Sequence, residues 1–245
     1  LSLSARQTSA WSGVGPQPQA DLCHQRRVIA VPVPDHIKDP KAIYDASFAI
    51  VRAQADLSTV QPDLRDIVVR LIHACGMPDI VGDLGFSADL VAAATSALAA
   101  GRPVLADCEM VASGITRKFL PAANEIIVTL NDPRTAPLAE HLATTRSAAA
   151  VDLWRDHIDG AVLVFGNAPT ALFRALELVG DGARPAAILG FPVGFVGAVE
   201  SKQALANHAP AMPFLTLHGT RGGSALASAA LNALAIIANG AGETL

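Results

Sequence analysis

Cysteine is scarce in this 245-residue chain: Cys23, Cys75 and Cys108 are the only three, and they are widely spaced. Three scattered thiols build neither a disulfide framework nor a C-x-x-C metal site, and they fit a reducing compartment. Basic residues are also in deficit. With 18 Lys plus Arg against 22 Asp plus Glu, the chain has no strongly cationic surface for nucleic acid. Long apolar runs are nearly absent, because Pro, Gly or charge interrupts them before the roughly 18 residues a membrane span requires. The exception, residues 222–238 (GGSALASAALNALAIIA), carries Ser, Asn and many small side chains, and reads as a buried helix. Residues 1–27 contain no continuous apolar segment of the secretory kind; their Arg and Ser also fit a transit peptide, against which the acidic Asp21 and the broken periodicity count, and with the few cysteines a cytoplasmic protein is expected. Their Ser, Gln, Gly and Pro content suggests a flexible N-terminal extension ahead of a single domain over 28–245.

What the chain does have is apolar content, 51% of residues against 16% charged, enough for a sizeable core. From Pro40 onward, helical and strand-like patterns alternate. Asp39-Pro40 reads as a cap and first turn, followed by Ile43, Ser47, Ile50, Val51 and Gln54 at helical spacing. A second helix is expected over 62–74, with Leu64, Ile67, Val68, Leu71 and Cys75 as its apolar stripe. Ser87 is placed as the cap of a third helix that ends near Gly101, and further helices are expected over 144–157, 169–179, 196–206 and 224–238. Strands are expected at 103–108, 126–130, 161–165, 186–189 and 214–217. These runs lack clean alternation, which favours burial on both faces. The fold class is therefore α/β: a single domain with a mainly parallel open sheet of about five strands and helices on both faces.

In such sheets ligands gather at the carboxyl ends of the strands, and the glycine-bearing and polar turns of this chain fall there. Three arginines, Arg117, Arg146 and Arg221, adjoin turns or helix starts, a setting suited to carboxylate or phosphate groups. On the second helix, Arg70 and His73 share one polar face with Asp66. That face is either solvated or lines a cleft in which an imidazole exchanges a proton near neutrality. Residues 219–224 (GTRGGS) resemble a phosphate loop only loosely, lacking the P-loop lysine, and no G-x-G-x-x-G follows a strand. No G-x-S-x-G elbow is present, Asp107 and Glu109 have no histidine partner of the metal-binding type, and the other histidines (His24, His36, His141, His157, His208, His218) have no ligand spacing. No metal site is expected, and nucleotide binding is only a weak signal.

Taken in order, residues 39–56 (DPKAIYDASFAIVRAQAD), 73–76 (HACG), 107–117 (DCEMVASGITR), 131–135 (NDPRT), 145–150 (TRSAAA), 166–173 (GNAPTALF), 190–202 (GFPVGFVGAVESK) and 221–224 (RGGS) resemble the precorrin-8X methylmutase (precorrin isomerase) family. The likeness spans residues 33–234. It implies an α/β parallel sheet, a homodimer, and migration of a methyl group from C-11 to C-12 that converts precorrin-8X into hydrogenobyrinate without redox cofactor or metal. By the same resemblance His73 is the catalytic residue. Ser47 and Arg70 contact substrate, and Thr116, Arg117, Thr145 and Arg146 line the same pocket. His73 would protonate, or hydrogen-bond to, a macrocycle nitrogen beside the migration site. Two neighbouring readings share these residues: a cobalt-precorrin-8 methylmutase, and a non-catalytic tetrapyrrole carrier. A nucleotide-dependent enzyme using 219–224 is a third.

Overall fold

In a computed structural model of the chain, residues 34–207 and 212–240 are described. The extension expected over 1–27, with Cys23 and His24, lies outside them, as does His208. The described elements run α1 (Pro40–Gln54), α2 (Arg65–Cys75), β1 (Leu84–Phe86), α3 (Leu90–Ala99), β2 (Val104–Ala106), α4 (Glu109–Gly114), β3 (Ile126–Ile127), α5 (Thr135–His141), α6 (Arg146–Asp152), β4 (Val162–Phe165), α7 (Pro169–Gly180), β5 (Ala187–Gly190), α8 (Ala198–Asn207), β6 (Phe214–Leu217) and α9 (Ser224–Ala238). They belong to one compact unit that begins at Ile37.

Local chemistry sets the helix ends. Asp39 accepts the Ala42 N–H at 2.8 Å with Pro40 in the first turn, so α1 starts where a carboxylate can satisfy a free amide. Gly76 takes φ 69° and returns its N–H to Ile72 O at 2.7 Å, which stops α2. Thr145 caps α6 by accepting from Ala148 N at 3.1 Å. The buried face of α1 differs from the expected one: Phe48 and Val51 point inward, while Ile43 and Ile50, on the Ser47 side, stay exposed. Ser87 does not cap α3. Its hydroxyl instead accepts from Phe214 N at 3.0 Å, tying the chain before α3 to β6. The helix expected over 144–157 ends at Asp152 and continues as turns.

Among the described residues the sheet has six strands rather than about five, in the order β1-β6-β5-β4-β2-β3. All neighbours are parallel except β1, which pairs antiparallel with β6 at one edge. Three residues centred on Gly85 carry too little pattern to be legible as a strand beforehand. Strands β2, β4, β5 and β6 are buried on both faces, as their lack of alternation implies, while the edge strand β3 is half-buried. Val104, Val162, Val164 and Leu189 turn toward the layer of α2, α3, α4 and α9, while Leu105, Leu163, Phe165 and Ile188 turn toward α6, α7 and α8. Alanine-rich α9 lies between α2 and the sheet, and its small side chains permit that close approach.

The chain passes from β2 outward to β3 and returns on the other side of β2 to β4. The carboxyl ends of β2 and β4 therefore flank the point where the winding reverses, the usual crevice of such sheets. Asp107 fills it. This carboxylate is buried and accepts three backbone N–H groups, from Gly166 at 3.0 Å and from Asn167 and Ala168 at 2.9 Å each. Burial raises its pKa, and the three amides oppose that rise. Asp107 thus holds the β2 and β4 ends together and presents the start of α7.

Candidate active site

Two helices meet where the sequence had suggested a polar face. Ser47 Oγ of α1 lies 2.8 Å from Nδ1 of His73 on α2. The His73 ring packs 5.2 Å from that of Phe48, which in turn stacks on Tyr44 at 4.1 Å. Arg70, one turn before His73, sets its guanidinium 5.3 Å from the Phe48 ring centre and 5.7 Å from that of Tyr44. Arg52 also approaches this platform, its guanidinium 5.9 Å from the Phe48 ring centre, and pairs with Asp66 at 2.7 Å. The imidazole is therefore oriented by one hydrogen bond and by aromatic packing. Its Nε2 bonds to nothing among the described residues, and His73 is exposed.

The Tyr44 hydroxyl is buried without a hydrogen-bond partner, and burial raises its phenol pKa against the opposing charge of Arg70. Neither Tyr44 nor Phe48 is among the site residues expected from the sequence. Their signal was available in the i, i+4 spacing of two aromatics flanking Ser47, on a chain with few aromatics.

The other expected site residues form two further groups, Thr145 with Arg146 and Thr116 with Arg117. Thr145 caps α6 and donates its hydroxyl to Thr170 Oγ1 at 2.8 Å, joining the starts of α6 and α7. Arg146 donates to Leu130 O at 3.0 Å and Asn131 Oδ1 at 3.3 Å, and stays exposed. Thr116 donates its N–H to Asn232 Oδ1 of α9 at 2.8 Å, and the exposed Arg117 begins the short turn after it. Among the described residues, no hydrogen bond joins these two groups to the Ser47–His73 pair.

Arg221, read from the sequence as an anion receptor, is committed elsewhere. Its guanidinium pairs with Asp79 and Asp83, at 2.6 Å each. Cys75 and Cys108 both have raised thiol pKa values through burial, which disfavours the thiolate a nucleophile needs. Among the described residues, no cluster of three His, Cys, Asp or Glu side chains has the geometry to hold a metal ion, and no helix is long and apolar enough to cross a membrane. An open depression of about 540 Å³ is lined by Gln54, Asp56, Thr59, Pro78, Asp79, Val81 and Gly82, and does not include His73.

The arrangement offers one proton-exchanging group with a free ring nitrogen, flanked by fixed cations and a hydrophobic platform. That set suits a single proton transfer to an anionic, flat ligand.

Comparison with known proteins bears on the chemistry. Residues 42–237 match the family model CbiC, precorrin-8X methylmutase. The chain is 54% identical over 206 residues to a precorrin-8X methylmutase of Sinorhizobium sp, covering 84% of this chain and 98% of that protein. It is 55% identical over 202 residues to one of Pseudomonas aeruginosa, covering 82% and 97%. Among solved structures, a precorrin-8x methyl mutase from Thermus thermophilus superposes with a TM-score of 0.76 at 38% identity, over 83% of this chain and 98% of that one.

Proposed function

The chain belongs to the precorrin-8X methylmutase family, isomerases of cobalamin biosynthesis, and on that premise we propose that His73 supplies the proton for methyl migration from C-11 to C-12 of precorrin-8X, giving hydrogenobyrinate. The observation that carries this reading is the Ser47–His73 hydrogen bond beside Arg70. When Ser47 donates its hydroxyl hydrogen to Nδ1, the imidazole proton resides on Nε2, the nitrogen that faces outward. Nε2–H then donates to a macrocycle nitrogen adjoining the migration terminus, making the neighbouring carbon electron-poor. The methyl group leaves C-11 with its bonding pair and bonds to C-12, and the lent proton returns to His73. No atom is gained or lost, so neither oxidant nor reductant is required.

The acidic rim of the macrocycle calls for cations. Arg70, Arg117 and Arg146 are exposed or half-buried and none is ion-paired among the described residues. Held in this way, the substrate is oriented before reaction, which supplies much of the acceleration.

A single chain leaves His73 open to solvent, and Ile43 and Ile50 of the same helix face are also exposed. In this reading a second copy of the chain covers that face and encloses the substrate, giving a homodimer in the cytoplasm.

The test is incubation of the purified protein with precorrin-8X, followed by absorbance and NMR identification of the product. Wild-type protein is expected to give hydrogenobyrinate, and His73→Ala to lose about 10²-fold or more in kcat, the range of a general acid. His73→Ala turning over at the wild-type rate would overturn the assignment of His73. Wild-type protein that binds the tetrapyrrole and leaves its chromophore unchanged would make it a carrier.

A further inference from the structure

Lys202 has no place in the mechanism above, yet it is fully buried in α8. A buried ammonium is costly unless it holds something. No carboxylate pairs with it among the described residues. Its Nζ donates to the carbonyl of Arg221 at 2.7 Å.

That carbonyl belongs to a junction of two loops. The loop after β6 (residues 218–223) and the loop after β5 (residues 191–197) exchange backbone hydrogen bonds, Gly223 N to Phe191 O at 2.8 Å and Gly194 N to Thr220 O at 3.1 Å. Gly222 is pressed so closely against the carbonyls of Phe191 and Pro192 that no β-carbon fits there. Near its end the loop after β5 carries Phe195 and Val196, which are 91% and 90% exposed. From the other side, the Arg221 guanidinium reaches Asp79 and Asp83, in the turn that follows the His73 helix. One residue therefore links the loop junction to the segment trailing the catalytic helix, and Lys202 grips that residue by its main chain.

We infer that Lys202 is a positioning residue for the isomerisation: its ammonium locks the Arg221 carbonyl, so that the loops after β5 and β6 stand in one arrangement relative to the end of α2 and meet the flat substrate preformed. The inference rests on the functional reading above and concerns binding rather than proton transfer. Preforming a loop lowers the ordering cost of binding, so its loss appears in KM before kcat.

The experiment compares steady-state isomerisation of precorrin-8X by wild-type protein, Lys202→Met, and the double variant Asp79→Asn/Asp83→Asn, with thermal unfolding recorded for each. Lys202→Met keeps the side-chain length and removes the donor. The double variant frees the Arg221 guanidinium by changing two exposed carboxylates, leaving Lys202 untouched. The expected result is a KM at least fivefold above wild type in both, with kcat within twofold. The triple variant is expected to be no worse than the weaker of the two, because the parts act as one unit. A lysine that merely supports the fold would shift the unfolding midpoint and leave KM at the wild-type value, which overturns the inference. Should Lys202→Met fail to fold, a wild-type KM in the double variant overturns it equally. An inactive wild-type protein would instead bring down the functional reading, and this inference with it.

Discussion

At the scale of single residues, the site depends on how few contacts orient one imidazole. Among the described residues Ser47 makes the one side-chain hydrogen bond to His73, at 2.8 Å, and the Phe48 ring packs against the imidazole. Ser47→Ala leaves the imidazole in place and releases its tautomer, so kcat is expected to fall about tenfold, well short of the His73→Ala loss. The check is kcat for both variants at one pH under saturating precorrin-8X, with Ser47→Ala falling between wild type and His73→Ala. The polar face of Arg70 and His73 was legible from their three-residue spacing. The partnership with Ser47 was not, because the two residues are 26 apart on different helices and only tertiary packing brings them together. Arg221 shows the converse: its glycine-rich setting suggested a ligand, but Asp79 and Asp83 already neutralise it. Spacing reveals which residues share a face, and not which charges find a protein partner.

At the scale of elements, caps and burial account for what was readable. Helices with a side-chain cap or a first-turn proline (α1, α6 and α7) begin within two residues of their expected starts. Short elements were missed: α4, α5 and β1 have seven residues or fewer, too few for a period to emerge. Their placement comes from tertiary contacts. Trp154 donates Nε1–H to Thr129 Oγ1 at 2.9 Å, and Thr135 donates to Thr129 O at 2.6 Å, pinning α5 and the turn after α6 to one buried threonine. Three elements also converge at Gly166, where an added β-carbon would meet Val111 Cγ2 of α4 at 2.6 Å and Ser224 Cα of α9 at 2.7 Å. The latter is backbone and cannot swing aside. Gly166→Ala is therefore expected to destabilise the fold by about 3 kcal/mol, at the upper end for overpacking, measured as a lowered urea midpoint with an unchanged slope.

At the scale of the whole molecule, stability and assembly both answer to features already placed. Burial lowers the Lys202 pKa from 10.5 to about 8. Between those values the unfolded chain binds a proton that the folded chain has released, so this group makes stability rise with pH across the window. Below about pH 8 both states carry the charge and its burial cost is fully felt. The difference in unfolding free energy between wild type and Lys202→Met should thus shift in favour of wild type by up to about 3 kcal/mol from pH 7.5 to 10.5, read by urea titration at each pH. The proposed homodimer predicts a particle of about twice 25.2 kDa by light scattering. It also predicts that Ile43→Asp/Ile50→Asp, on the exposed face of α1, lowers this to one chain and costs activity together with assembly.

The two margins of the sheet limit how such copies could join. One margin ends in the two residues of β3 and the other in the three of β1, which runs against its neighbour. Among the described residues, neither offers a row of free amides and carbonyls long enough to template a further strand from another molecule. Among the described residues, growth of the sheet across subunits, and the fibrous runaway that such edges invite, therefore finds no template, and a union of copies through these residues falls to helical and loop side chains.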